Sequence, residues 1–232
     1  MLIESMNSKE ITQEILRDLP LLLHWQRNKW IDELRSKFAH CKVFPAYAYR
    51  TWTSPFKNKW ELYFYCRDKK QLSQNIKNAW SWIRYDTPYG KGAYTFSYFR
   101  TKIERAGVIK YVPHFFQRYR QRFVDPYHID LTPYDGDIIR YFFHENHTVG
   151  TCCDMATHKV YGTVDQGLIF GNEENDNTFY LIKTYINFAI LNKKQQKNLM
   201  DSLRAARLMS FLPEEIRRTK PGSFKAATQL KG

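Results

Sequence analysis

Apolar residues Ile11, Ile15, Leu16 and Leu19 recur at helical spacing behind Ser8, a residue able to cap a first turn. Pro20 is expected to interrupt this helix. A second is predicted from Leu21 to Phe38, with Leu23, Trp30, Leu34 and Phe38 towards its buried side. The pattern then changes to short aromatic runs. Val43 to Trp52 and Trp60 to Tyr65 read as strands joined by a turn through Ser54-Pro55. Leu72, Ile76, Ala79 and Trp80 give residues 69–82 a helical spacing. Thr87 to Gly92 signals a loop, and Ala93–Phe99 and Val108–Val112 read as strands.

Pro113 suits the first turn of a helix, where its missing N–H costs nothing. That helix is expected to run to Val124 and stop before Asp125-Pro126. Another is predicted from Tyr134 to Glu145, entered from Thr132-Pro133. Residues 148–157 carry no clear period. Lys159–Val164, Gly167–Phe170 and Thr178–Ile186 follow as a β-meander, with the glycines of Gly167-Leu168-Ile169-Phe170-Gly171 at its hairpin ends. Leu199, Leu203, Ala206 and Leu208 predict a basic amphipathic helix over Lys193–Phe211. The expectation is an α+β fold: an antiparallel sheet, partly a β-meander, packed against helices. Residues 1–216 would form one domain, with residues 1–40 a helical extension and 217–232 a flexible basic tail.

Composition adds two facts. Aromatics make up 16% of the 232 residues, enough to fill a core and furnish a surface. Lys and Arg number 36 against 23 Asp and Glu, a formal net charge of +13. That balance, with the aromatics, favours a polyanionic partner, nucleic acid first. Hydrophobic residues at 43% and charged residues at 25% exclude a wholly disordered or collagen-like chain. The charge is segregated. Residues 61–125 hold 13 basic and 5 acidic side chains, residues 126–181 hold 2 and 9, and residues 182–232 hold 11 and 3. No apolar run approaches the ~18 residues of a membrane span. Glu4, Glu10, Glu14 and Asp18 argue against a signal peptide. Four cysteines, two of them adjacent, are no disulfide framework, so a reducing cytoplasm is expected.

The candidate chemistry lies in Pro113-His114-Phe115-Phe116-Gln117-Arg118-Tyr119-Arg120-Gln121-Arg122-Phe123. At ~100° per residue, Phe115, Phe116, Tyr119 and Phe123 share one arc, the buried one. His114, Arg118 and Arg122, spaced four apart, form a stripe along its edge. An imidazole can take or give a proton near neutrality, and guanidinium groups are permanent planar donors for a phosphate gathering charge. Metal-free cleavage of RNA requires that pair of functions. On spacing alone, three basic residues on a helix are more often a solvated face, here Arg118, Arg120 and Arg122, with His114 capping or packing at the helix start.

The His-x3-Arg-x3-Arg helix, followed by a helix and a short meander, resembles the metal-independent ribonuclease group that includes barnase-, RelE- and colicin-type toxins. The resemblance spans residues 108–190. It implies an endoribonuclease of the kind found in toxins and in defence or mobile-element systems, acting on RNA rather than DNA, with no cofactor and an acidic, antitoxin-like protein partner. It also implies a hydroxyl residue on the last strand, here Thr184. The candidate catalytic set is therefore His114, Arg118, Arg122 and Thr184. Arg50, Arg105, Lys110, Arg120, Lys183 and Tyr185 are candidate contacts to nucleic acid. Tyr47, Tyr49 and Trp52, with Arg50 among them, are candidates for base stacking.

Two other readings use the same residues. One is a non-catalytic nucleic-acid-binding or accessory protein. The other is an interaction protein whose basic termini bind an acidic partner. His144, His147, Cys152, Cys153 and His158 crowd one segment. Adjacent cysteines are poorly placed to ligate one ion and no C-x2-C occurs, so no metal is assigned. Phosphate-loop, HExxH and GxSxG motifs are likewise missing from the sequence.

Overall fold

The computed structural model describes residues 1–3, 5–73, 79–98, 106–146, 149–154, 156–175 and 178–191. The fold is α+β, a mixed sheet packed against helices and preceded by an N-terminal helix. The described helices are α1 (Ser8–Trp25), α2 (Ile31–Ala39), α3 (Lys69–Ser73), α4 (Pro113–Tyr119) and α5 (Ile138–Glu145). The strands are β1 (Ala46–Thr53), β2 (Lys59–Cys66), β3 (Ala79–Thr87), β4 (Gly90–Tyr98) and β5 (Ala106–Tyr111), then β6 (Gly150–Asp154), β7 (Lys159–Val164), β8 (Gly167–Glu174) and β9 (Phe179–Asn187). Hydrogen bonds order them β1-β2-β3-β4-β5-β9-β8-β7-β6. The hairpins are antiparallel. Val108 N–H donates to the Thr178 carbonyl at 2.8 Å and Val112 N–H to the Ile182 carbonyl at 3.2 Å. Both numbers rise together, so β5 and β9 run parallel, where an all-antiparallel sheet was expected.

Two compact units divide the chain. The first comprises Met1–Lys110 and Glu174–Tyr180. Its first helix is capped by Asn7, not by Ser8: Asn7 Oδ1 accepts from the N–H groups of Lys9 and Glu10, and Glu10 answers with a bond from Asn7 N–H. This is a capping box one residue earlier than expected. Pro20 does not interrupt α1, which continues to Trp25. The irregularity falls later, at a π-helical turn over Gln26–Trp30, and the predicted Leu21–Phe38 helix is thus the end of α1, this turn and α2. Buried Gln26 anchors the turn by donating to Ser81 Oγ at 2.7 Å. Ile11, Ile15, Leu19, Leu22, Trp30, Leu34 and Phe38 pack on Trp60, Leu62, Phe64, Ile83 and Val108. Each large apolar side chain buried this way contributes about 1.5–3 kcal/mol.

The helical reading of residues 69–82 holds over Lys69–Ser73 and fails from Ala79 on, residues 74–78 lying outside the described residues. Residues 79–87 form β3, where Trp82 is fully buried and Glu61 faces it across the pair with β2. Trp80 and Trp82 alternate at a strand's period of two. The predicted loop at Thr87–Gly92 is a tight hairpin turn, since Thr87 already pairs with Gly90.

The second unit comprises Tyr111–Glu173 and Leu181–Gly232. Val112 precedes α4 with Pro113 in the first turn, and a π-helical turn over Arg120–Val124 completes the predicted helix. The other predicted helix begins four residues late. Thr132–Tyr134 is a single 3-10 turn, Asp135 and Gly136 adopt positive φ, and Asp137 caps α5. Phe115, Phe116, Tyr119, Phe142 and Phe143 cluster with Tyr111, ring centroids 5–6 Å apart. Residues 150–154, within the stretch without clear period, form β6. Gly171 does not end a hairpin but lies inside β8, which continues to Glu174. The predicted helix over 193–211 and the tail over 217–232 lie outside the described residues.

Candidate nucleic-acid interface

Helix α4 exists because its aromatic arc is buried on the Tyr185 side of β9. Tyr185 is fully buried and its ring meets Phe115, Tyr119 and Phe123 edge-on. Its hydroxyl donates to the Gln166 carbonyl at 2.6 Å. Tyr119 donates to Gln166 Oε1, which also accepts from Asn146 Nδ2 at 3.2 Å. Burial holds the Tyr119 and Tyr185 phenols well above their ordinary range, and repulsion from neighbouring tyrosines adds to it. These phenols are fixed neutral donors under the helix. Tyr185 thus supports α4 from within and offers no surface to a nucleic acid, contrary to the sequence expectation.

With that face buried, the stripe beside it turns outward. His114 and Arg120 are exposed and Arg118 is half-exposed. Arg118 Nε donates to His114 Nε2 at 3.1 Å, and its Nη1 donates to Gln121 Oε1 at 3.2 Å. The imidazole thus accepts through Nε2, and its lone pair there is held against a guanidinium. Arg122 leaves the stripe. Its Nη1 donates to the Tyr185 carbonyl at 2.5 Å, and the carbonyl of Arg122 accepts from Asn187 Nδ2 at 3.3 Å. Thr184 is half-buried and, by strand alternation, lies on the face of β9 opposite to Tyr185 and so opposite to α4. Of the four candidate catalytic residues, His114 and Arg118 are joined by a direct bond. Arg122 is committed to β9, and Thr184 is turned to the other face of the strand.

The remaining candidates are scattered. Lys183 is exposed on β9. Lys110 is half-buried, its ammonium 5.1 and 5.5 Å from the ring centres of Tyr85 and Tyr94. Burial lowers the Lys110 pKa and the Glu174 carboxylate opposes that shift. Arg105 lies outside the described residues. Arg50 donates to Glu33 and its guanidinium carbon is 5.3 Å from the Trp25 ring centre.

The expected stacking set is divided by strand alternation. Tyr47 and Tyr49 lie on one face of β1 with Tyr63 of β2 beside them. Arg50 and Trp52 lie on the other, where Trp52 stacks on Trp25 of α1 at 6.0 Å. No sequence rule links Trp25 to β1, since the stack joins a helix end to a strand that periodicity treats separately.

The crowded histidines and cysteines are spread over several elements. His144 Nδ1 lies 2.7 Å from Glu145 Oε1 and 3.2 Å from the Tyr134 hydroxyl. His158 Nδ1 lies 2.7 Å from the buried Glu173 carboxylate. Cys153 is in β6, while His147 and the Cys152 side chain lie outside the described residues. Among the described residues, no group of three or more His, Cys, Asp or Glu is placed to hold a metal ion. No described helix is long and apolar enough to cross a membrane.

Fold and surface together define an α+β protein with a basic helical edge over an aromatic core. Compared with known proteins, the chain matches no family model, no curated protein and no solved structure.

Proposed function

We propose that the chain binds RNA through the exposed side of α4 and of the π-helical turn after it, with Arg118 and Arg120 contacting phosphates. The observation that carries this reading is the His114–Arg118 pair, held on one helix and turned outward, with exposed Arg120 two residues on and on another side of the helix. The net charge of +13 supplies the long-range attraction. Phosphate contacts fix register without reading sequence, and a guanidinium is a permanently charged, planar donor for them.

The test is anisotropy of a labelled RNA across a salt series. Wild type binds, with affinity falling steeply as salt rises. Arg118→Gln and Arg120→Gln each weaken binding and flatten the dependence on salt by about one ion. A wild-type protein with no affinity at physiological salt overturns the reading.

The His114 bond favours a second, catalytic reading. A bound phosphate competes for Arg118, and a guanidinium drawn to it releases the Nε2 lone pair of His114. That nitrogen takes the proton of a ribose 2′-hydroxyl while the 2′-oxygen attacks phosphorus and the 5′-oxygen departs, protonated by water. Here His114→Ala keeps RNA affinity and abolishes cleavage. RNA left whole by wild type over long incubation rejects this second reading and leaves the first standing.

A further inference from the structure

The π-helical turn between α1 and α2 does something an α-helix does not. At ~100° per residue, residues five apart point ~140° away from each other. The wider i→i+5 turn, in which Ile31 N–H donates to the Gln26 carbonyl, brings Trp25 and Trp30 to one side. Their rings stack at 6.1 Å and 20°. Trp52 of β1 stacks on Trp25 at 6.0 Å and 29°. Trp30, 2% exposed, is the inner member, while Trp25 and Trp52 are only partly buried. The guanidinium of Arg50 sits over Trp25, its side chain 43% exposed, and Glu33, 59% exposed, accepts from it. β1 is an edge strand of the sheet, so this cluster opens at a rim rather than in the interior. Exposed Lys29 in the same turn adds positive charge.

From this we infer that Trp25 and Trp52 form a stacking site for an unpaired purine base of single-stranded RNA, with Arg50 as the contact to its phosphate. The inference rests on the RNA reading and gives it a substrate class. An indole offers its π-face only to a base released from a duplex, and a purine presents the larger partner face. A guanidinium whose carbon lies 5.3 Å from the Trp25 ring centre is placed to meet the phosphate attached to the stacked nucleotide. The carboxylate of Glu33 holds Arg50 in that position when no RNA is bound. Packing alone asks only that tryptophans be covered. Here two of three remain partly open beside a cation.

The experiment measures tryptophan emission and affinity with oligoadenylate and with an RNA duplex of equal length. Wild type binds the single strand about tenfold tighter than the duplex, with quenching. Trp52→Leu lowers single-strand affinity about tenfold and leaves duplex affinity unchanged, while Trp52→Phe retains the preference. A folded Trp52→Leu that binds the single strand like wild type, while Arg118→Gln weakens binding, overturns the stacking site and leaves the RNA reading intact. Should Trp52→Leu fail to fold, Arg50→Gln replaces it, and wild-type single-strand affinity in that variant overturns the site. If neither RNA binds, the RNA reading falls and adenosine 5′-monophosphate is titrated instead. Quenching of wild type that is lost on the same substitution supports the site, and unquenched wild type overturns it.

Discussion

The guanidinium of Arg122 donates to the backbone carbonyl of Tyr185 at 2.5 Å, tying the turn after α4 to β9. A charged donor to a half-buried carbonyl is worth about 1.5–3 kcal/mol. Arg122→Ala is therefore expected to lower stability by about 2 kcal/mol in urea unfolding. Arg118→Ala, whose guanidinium donates to His114 and Gln121 at an exposed edge, leaves stability within about 0.5 kcal/mol. Equal losses from both substitutions would contradict the division of roles along the stripe.

Asp18 is fully buried in the first unit, and its Oδ2 accepts from Trp60 Nε1 and from Asn58 Nδ2, each at 2.8 Å. Asn58 also donates to Glu14 at 3.2 Å and accepts from Leu2 N–H at 2.8 Å. Replacing Asp18 with Ala leaves two buried donors without their acceptor and opens a void beside them. The expected loss is about 3 kcal/mol. Asp18→Asn keeps the shape and one acceptor oxygen and loses less. Chemical denaturation of both variants checks the order.

How much of this was legible depended on how local the cause was. The helix from Pro113 had its aromatic arc, its proline start and its Asp125-Pro126 stop within a dozen residues, and the His114–Arg118 bond follows from i,i+4 spacing alone. The fate of Arg122 was not legible, because it is set by a strand more than sixty residues away. Residues 69–82 misled because Leu72, Ile76 and Trp80 mimic a helical period, while β3 is defined by its pairing with β2 and β4. Pro20 misled because a helix packed along one whole face tolerates the loss of one backbone bond, which propensity alone counts as a stop. The Trp25–Trp52 stack requires both the π-helical turn and the return of β1, and no periodicity encodes either.

Gly171 tests the close approach of β8 and β9. A Cβ built there would lie 1.9 Å from the Leu181 carbonyl oxygen and 2.9 Å from the Ile182 Cα. Those neighbours are backbone, so neither yields by a rotamer change. Gly171→Ala is expected to cost more than about 2 kcal/mol or to prevent folding. Gly136→Ala, at a positive φ of 70° but with open space around it, is expected to cost about 1 kcal/mol. Thermal unfolding of the two variants separates crowding from backbone strain.

Alkaline pH attacks the aromatic core through its phenols. Burial pushes Tyr94 in the first unit and Tyr141 in the second up to about 12 from an ordinary 10.0, the Glu145 carboxylate adding to the effect at Tyr141. Tyr85 and Tyr111 are raised for the same reason. Below pH 10 these groups are protonated in both folded and unfolded chains, and their contribution to stability is complete. Between about 10 and 12 the unfolded chain releases protons that the folded chain keeps, so stability falls as pH rises. Urea midpoints are expected to be flat up to about pH 9.5 and to drop steeply above it. Because the phenols ionise only when released, tyrosinate absorbance should rise in the same transition as the loss of near-ultraviolet circular dichroism. Full tyrosinate absorbance in a chain that keeps its native dichroism would show the phenols to be open to water, and the burial argument for both units would fail.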